Sequence, residues 1–239
     1  MHGCLTIVVN EAILQLFKTR VRLSPGTPMS KDCFSIKLIS KNEAKTVLEK
    51  YHYLTNISRG FKSGYNYGLF TGEKDELCGV VIFTSLPVPE LTKGCFGLDR
   101  KEQEGFFELS RLCLTPEVQK KEHNLAGWFS SRAIKELCRA TKVRAILSYA
   151  DNDFHSGIVY AATNWKYYGL TTPKKDFWFK QEDGTFIKHN RGKVKNSAGE
   201  WRERSRKHRF LKVFDSTLKV QWKEQKWISK ESREQASIG

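Results

Sequence analysis

No run in this 239-residue chain approaches the roughly 18 consecutive apolar residues that a membrane helix needs. The most apolar early stretch, "CLTIVVNEAILQLF", is broken by Asn10 and Glu11 and has no basic leader before it. It reads as neither signal peptide nor anchor, so no membrane partner is expected. Cysteine is sparse: Cys4, Cys33, Cys78, Cys95, Cys113 and Cys138 are scattered and form no CxxC pair. That argues against a zinc site or a disulfide framework, and for reduced thiols in an intracellular, cytoplasmic protein. No internal repeat is visible. Acidic residues are also short, 26 against 41 Lys and Arg, which leaves a formal charge of +15.

Such an excess raises the local concentration of polyanions and speeds their capture. A basic but otherwise ordinary surface is the bland alternative, and the distribution weighs against it. Between Lys188 and Lys212 stand ten Lys or Arg and two acidic residues, interspersed with His189, Trp201, His208 and Phe210. Basic side chains neutralise phosphates and aromatic rings stack on exposed bases. Lys188, Arg191, Lys193, Arg202, Arg204, Arg206, Lys207 and Arg209 are therefore the candidate nucleic-acid-binding residues.

Residues 1–30 end in the turn-rich "RLSPGTPMSKD", just before the strand "CFSIKLIS". They read as a weakly packed extension or a start-codon artefact. The main domain is expected over 31–220, with a basic loop at 188–212 and a polar tail at 221–239. Ser40 caps a helix, "KNEAKTVLEKYHY", with Ala44, Val47 and Leu48 on one face. "YNYGLFTG" and "LCGVVIFTSL" form a hairpin, and "FFELSRLCLTP" is a strand stopped by Pro116. "LAGWFSSRAIKELCRA" is an amphipathic helix capped by Asn124, with Leu125, Trp128, Phe129, Ala133 and Leu137 inward. "VRAILSYAD" is a buried strand, and "SGIVYAATNW" a short helix capped by Ser156. "DFWFK" and "RFLKVF" are late strands. The order β-α-β-β-β-α-β-α-β-β predicts an α/β fold: a single mixed sheet flanked by helices on both faces.

That order resembles the Gcn5-related N-acetyltransferase-like fold, in which strands matching "ELSRLCLTP" and "AILSYAD" splay around an acyl donor. One departure stands out: "EVQKKEHNLAGW" holds only Gly127, where that superfamily has a Gly-rich turn for pyrophosphate. A narrower resemblance rests on "KYHYL", "ELSRLCL", "WFSSRAIKEL", "SYAD…H.G.VY.A.N…YGL" and "SRKHRFLKVF", in that order from Cys33 to Phe214. It is to the Mom family of phage proteins. The resemblance implies an acyltransferase-like enzyme that converts adenine in DNA to N6-(methylcarbamoyl)adenine, shielding phage DNA from restriction inside the bacterial host. It implies double-stranded DNA and a small-molecule acyl donor as partners, and leaves a homodimer open. Acetyl-CoA, an aminoacyl carrier and a glycine-derived unit all stay open as donor.

Asp151 ends a strand at the sheet's carboxyl edge, where α/β folds place ligands. It either caps the next helix or orients an adenine amino group, takes its proton or holds a metal; the resemblance makes it essential. Arg111 lies within a core strand and needs a carboxylate or phosphate partner, with Asp151 the candidate on the neighbouring strand. Tyr160 either packs on the sheet or serves the donor; Trp165 occupies the usual tyrosine position of the superfamily, and Tyr160 is the one the Mom pattern shares. His52 and Tyr53 end the first long helix, where a histidine also suits the helix dipole. The resemblance associates this pair with iron, for which His52, Tyr53 and Asp151 would supply an N/O donor set. Ser131, Tyr65 and Tyr67 are candidates to line the donor cleft, or are core residues. The competing readings are a conventional acetyl-CoA-dependent N-acetyltransferase of a protein or small amine, and a non-catalytic basic nucleic-acid-binding protein. The first predicts a Gly turn that the sequence lacks; the second leaves the ionisable corner unexplained.

Overall fold

The computed structural model describes residues 31–53, 60–72, 74–188 and 198–229. The expected N-terminal extension, 1–30, lies outside them. After a 3-10 turn, β1 (Phe34–Leu38) leads into helix α1 (Lys41–Tyr51). Ser40 Oγ accepts from the Glu43 N–H at 3.2 Å and the Glu43 carboxylate accepts from the Ser40 N–H at 2.7 Å, a reciprocal cap. The helix buries Ala44, Val47 and Leu48 against Val80, Ile82 and Cys113. β2 (Tyr65–Thr71) and β3 (Glu76–Ser85) form the expected hairpin. A short helix, α2 (Glu90–Phe96), precedes β4 (Phe106–Leu114).

Pro116 was expected only to end β4, and it also opens a helix, α3 (Pro116–Lys121), because a proline at N1 loses no hydrogen bond. Next come α4 (Leu125–Ala140), β5 (Ala145–Asp151), α5 (Ile158–Ala162) and β6 (Lys166–Leu170). α4 buries Leu125, Phe129, Ala133 and Leu137 as expected, with Trp128 packed at the margin. Neither predicted cap forms. Asn124 sits in the left-handed region (φ 58°) with no side-chain cap bond, and Gly157 (φ 80°), not Ser156, begins α5. A Cβ at Gly157 would lie 2.3 Å from the Phe210 ring, so glycine alone fits there.

β7 (Lys174–Lys180), β8 (Phe186–Lys188) and β9 (Gly199–Arg204) form a second, three-stranded sheet, here termed the wing. The expected basic loop is thus partly ordered into strands, and "DFWFK" belongs to the wing rather than the main sheet. β10 (Lys207–Val213) returns to the main sheet, whose order is β1-β2-β3-β4-β5-β10-β6. The expected mixed sheet with helices on both faces is therefore the one found. Residues 214–229 are not a free tail. Trp227 donates to the Ser156 carbonyl at 3.0 Å, Gln225 N–H to Tyr167 at 2.9 Å and Gln221 N–H to Cys95 at 2.7 Å. Among the described residues, no helix is long and apolar enough to cross a membrane.

One junction positions the site. Among the described residues, β4 and β5 are the only parallel neighbours in this sheet; they pair from Phe106↔Ala145 to Leu109↔Ser148 and then part. At that rung the register between β3 and β4 shifts, leaving Ser110 as the extra residue of a bulge. Ser148 Oγ closes the fork by donating to the Leu109 carbonyl at 2.9 Å.

A candidate active site at the splayed strands

Side chains alternate along β5. Ile146 and Ala150 join the α4 and α5 side, while Ala145 and Leu147 join the opposite side. Asp151 follows the second set. Its carboxylate is engaged by the Lys207 ammonium and the Ser205 hydroxyl, and it accepts from the Asp153 N–H at 3.2 Å. Burial alone would raise the pKa of Asp151. The hydrogen bonds from Lys207, Ser205 and Asp153, with the Lys207 charge, outweigh that and hold it below the ordinary value.

The expected Arg111–Asp151 pair is not formed. Lys207 stands directly opposite Asp151 on β10, whereas the bulge carries β4 away beyond Leu109. Arg111 Nη1 donates to the Ser110 carbonyl at 2.6 Å, and its buried Nε has no hydrogen-bond partner among the described residues. The carboxylate within electrostatic reach of Arg111 is Glu108. Burial raises the pKa of Glu108, against the opposing charges of Arg111 and Lys62. Sequence reasoning missed Glu108, although a glutamate inside the apolar "FFELSRLCL" carries the same signal that singled out Arg111.

Tyr160 is buried on the α5 side, its ring 5.1 Å from Phe210 and 5.2 Å from Trp165. Its phenol hydrogen-bonds the Ser148 hydroxyl at the fork, and burial pushes its pKa up to about 12. Asp151 and Tyr160 thus approach the opening from opposite faces of β5.

His52 and Tyr53 do reach this corner. Their rings stack at 4.5 Å, and Tyr53 meets Phe154 at 4.6 Å and His155 at 5.5 Å. Burial, then the charges of Arg111 and His155, press His52 down to about 4. His155 is lowered as well, by burial and then Lys207, with Asp151 opposing. Tyr53 is raised by burial and by Asp151, with Arg111 opposing. At neutral pH both imidazoles are therefore uncharged.

The other candidates divide. Tyr67 is buried against Phe83 at 6.2 Å, with its pKa pushed to about 12 by burial, and Tyr65 packs on Phe107 at 5.9 Å. Both join the core packing from β2, and Ser131 is half-buried on α4. Lys207 is Asp151's partner, and Arg209 lies 4.6 Å over Trp222 while donating to the Tyr168 carbonyl at 2.6 Å. Arg202 is flanked by Trp178 (4.9 Å) and Phe186 (4.4 Å), and Arg206 donates to the Thr171 carbonyl at 2.7 Å. Lys188 (2.5 Å) and Arg204 (3.9 Å) share Asp176. Arg191 and Lys193 lie outside the described residues.

The Mom protein family matches residues 33–229, most of the chain. The chain belongs to the Mom family. Solved structures similar to this Mom protein include a Bacillus subtilis acetyltransferase in complex with CoA, with 12% identity, TM-score 0.44, and coverage of 76% of this chain and 97% of that one. A mosquito arylalkylamine N-acetyltransferase-like protein shows 9% identity and TM-score 0.45 over 76% and 100%. An acetyltransferase of the GNAT family from Streptococcus pneumoniae shows 11% and 0.44 over 76% and 99%. No curated protein matches the chain.

The donor set expected for iron is not assembled as arranged: His52 and Tyr53 reach the corner of Asp151, but the Asp151 carboxylate is engaged by the Lys207 ammonium and the Ser205 hydroxyl, so a metal would need Lys207 displaced. Among the described residues, no group of three His, Cys, Asp or Glu is placed to hold a metal.

Proposed function

We propose that this Mom protein transfers an acyl group from a small-molecule donor to the exocyclic amino group of adenine in DNA, the product being N6-(methylcarbamoyl)adenine where the group transferred is –CO–NH–CH3, and so protects the DNA from restriction. The observation that carries the reading is the opening between β4 and β5. It gathers an acidic, a basic and a phenolic group at one sheet edge, beside a basic wing.

The adenine amino group is a weak nucleophile, so a base must remove its proton as the new carbon–nitrogen bond forms. Asp151, held ionised by Lys207, accepts a hydrogen bond from the amino group and orients it. Glu108, whose pKa is raised by burial, takes the proton. The partnerless Nε of Arg111 is free to donate to the donor carbonyl as negative charge develops there. The bond from acyl carbon to the donor's leaving atom then breaks, and Tyr160, on the other face of β5, supplies the leaving atom with a proton.

The test is mass spectrometry of nucleosides from the DNA of cells that express the protein. A new deoxyadenosine adduct is expected, reduced roughly a hundredfold or more by Asp151→Asn, the scale of a lost acid–base or orienting group. Purified protein given duplex DNA and, in separate arms, acetyl-CoA or an aminoacyl or glycine-derived donor identifies the donor. Unmodified DNA together with an acetylated protein or amine would replace this reading with that of a conventional N-acetyltransferase.

A further inference from the structure

Phe154 is 60% exposed, yet it is not on a loose loop. Its N–H donates to the Asp151 carbonyl at 3.1 Å, and the next N–H, of His155, donates to the same oxygen at 2.9 Å. The backbone that carries the ring is thus fixed in one tight turn beyond Asp151, and the ring itself rests against Tyr53. Beside it Tyr53, itself 38% exposed, stacks on His52 at an interplanar angle of 23° and meets Phe154 in a tilted contact at 4.6 Å and 35°. Water contact on an ordered phenyl ring is unfavourable, and this ring lies against the ionisable opening.

We propose that Phe154, backed by Tyr53, is a stacking platform for one unpaired adenine base of a DNA strand, whose amino edge then faces Asp151. The strong positive charge of the chain favours a nucleic-acid strand as the source of that base. Every base has a π-face, so the platform supplies affinity, while the carboxylate beside it accepts from an exocyclic amine. The DNA source rests on the proposed function; the stacking itself is measured without any chemistry.

The experiment compares two labelled single-stranded oligonucleotides, one with a central adenine and one with an abasic residue there, by fluorescence anisotropy. The wild-type protein should bind the adenine strand roughly tenfold tighter, the scale of one stacked base. Phe154→Ala should abolish that difference and leave affinity for the abasic strand unchanged, while Phe154→Trp should keep it. Being exposed, the position tolerates these changes without loss of the fold, which a melting curve checks. An adenine preference that survives in Phe154→Ala overturns the platform. Equal wild-type affinity for both strands overturns it while the DNA reading stands, and no affinity for either strand overturns both. Free CoA is the third arm. A loss of CoA binding in Phe154→Ala, with the oligonucleotide preference intact, would give the ring to the donor's adenine and overturn the proposal.

Discussion

Two carboxylates at the opening are pushed in opposite directions, and the consequences for stability differ in sign. Asp151 has a folded pKa below its ordinary value. Its contribution is therefore complete above the unfolded carboxylate pKa of about 4 and is lost as pH falls through the lower folded value. Lys207→Met removes the partner and leaves a buried carboxylate short of one charged hydrogen bond. A loss of about 1–3 kcal/mol at pH 7 is expected, shrinking toward zero near pH 2. Denaturant titrations at both pH values check this; an equal loss at both would show that Lys207 contributes packing alone. Glu108 is raised, so its ionised form costs stability above pH about 4. Glu108→Gln should be at least as stable as the wild-type protein at pH 7 while adenine modification falls by a hundredfold or more. A variant that is less stable yet fully active would remove Glu108 from the mechanism. Asp151 was legible in the sequence because an acid closed an apolar strand. Lys207 was not, because its role depends on a cross-strand neighbour 56 residues away.

Periodicity located the longer elements well, since α1, α4, β3, β4 and β5 each bury a clear stripe. Local chemistry misled at the joins. Ser156 looked like a cap, but the Phe210 ring leaves room only for a glycine at the start of α5. β6, "KYYGL", was missed because it alternates charged and aromatic residues rather than forming an apolar run. In the wing, one face carries Lys174, Arg202 and Arg204 around Asp176, and the other clusters Phe177, Phe179 and Trp201 with ring centroids at 5.3 Å. Arg202 is held by rings, so the exposed cations Lys174, Lys175 and Arg204 are the better probes of phosphate contact. Neutralising all three should weaken duplex binding and flatten the slope of log affinity against log salt by about 3, near 0.9 per phosphate. An unchanged slope in a salt titration would mean that the wing does not touch the duplex.

Across the whole molecule, the class of fold could be read from the order of elements, while the placement of β10 could not. A strand's partner is set by tertiary contacts, and nothing within "RFLKVF" says that it lies between β5 and β6. The same limit applies to residues 1–30, for which sequence alone supports an expectation. A chain beginning at Met29 should fold and modify DNA as the full chain does, measured by melting temperature and adduct yield. Loss of either would assign the first segment a structural part.

The late arrival of β10 also orders events during synthesis. Once β5 and β6 have left the ribosome and before β10 has, no strand lies between them. Along its β10 side, β5 then presents unpaired backbone groups, and Asp151 has neither Lys207 nor Ser205. A nascent chain of this protein is thus open along its future seam until β10 is made, and Asp151 gains its ion-pair partner only with that strand.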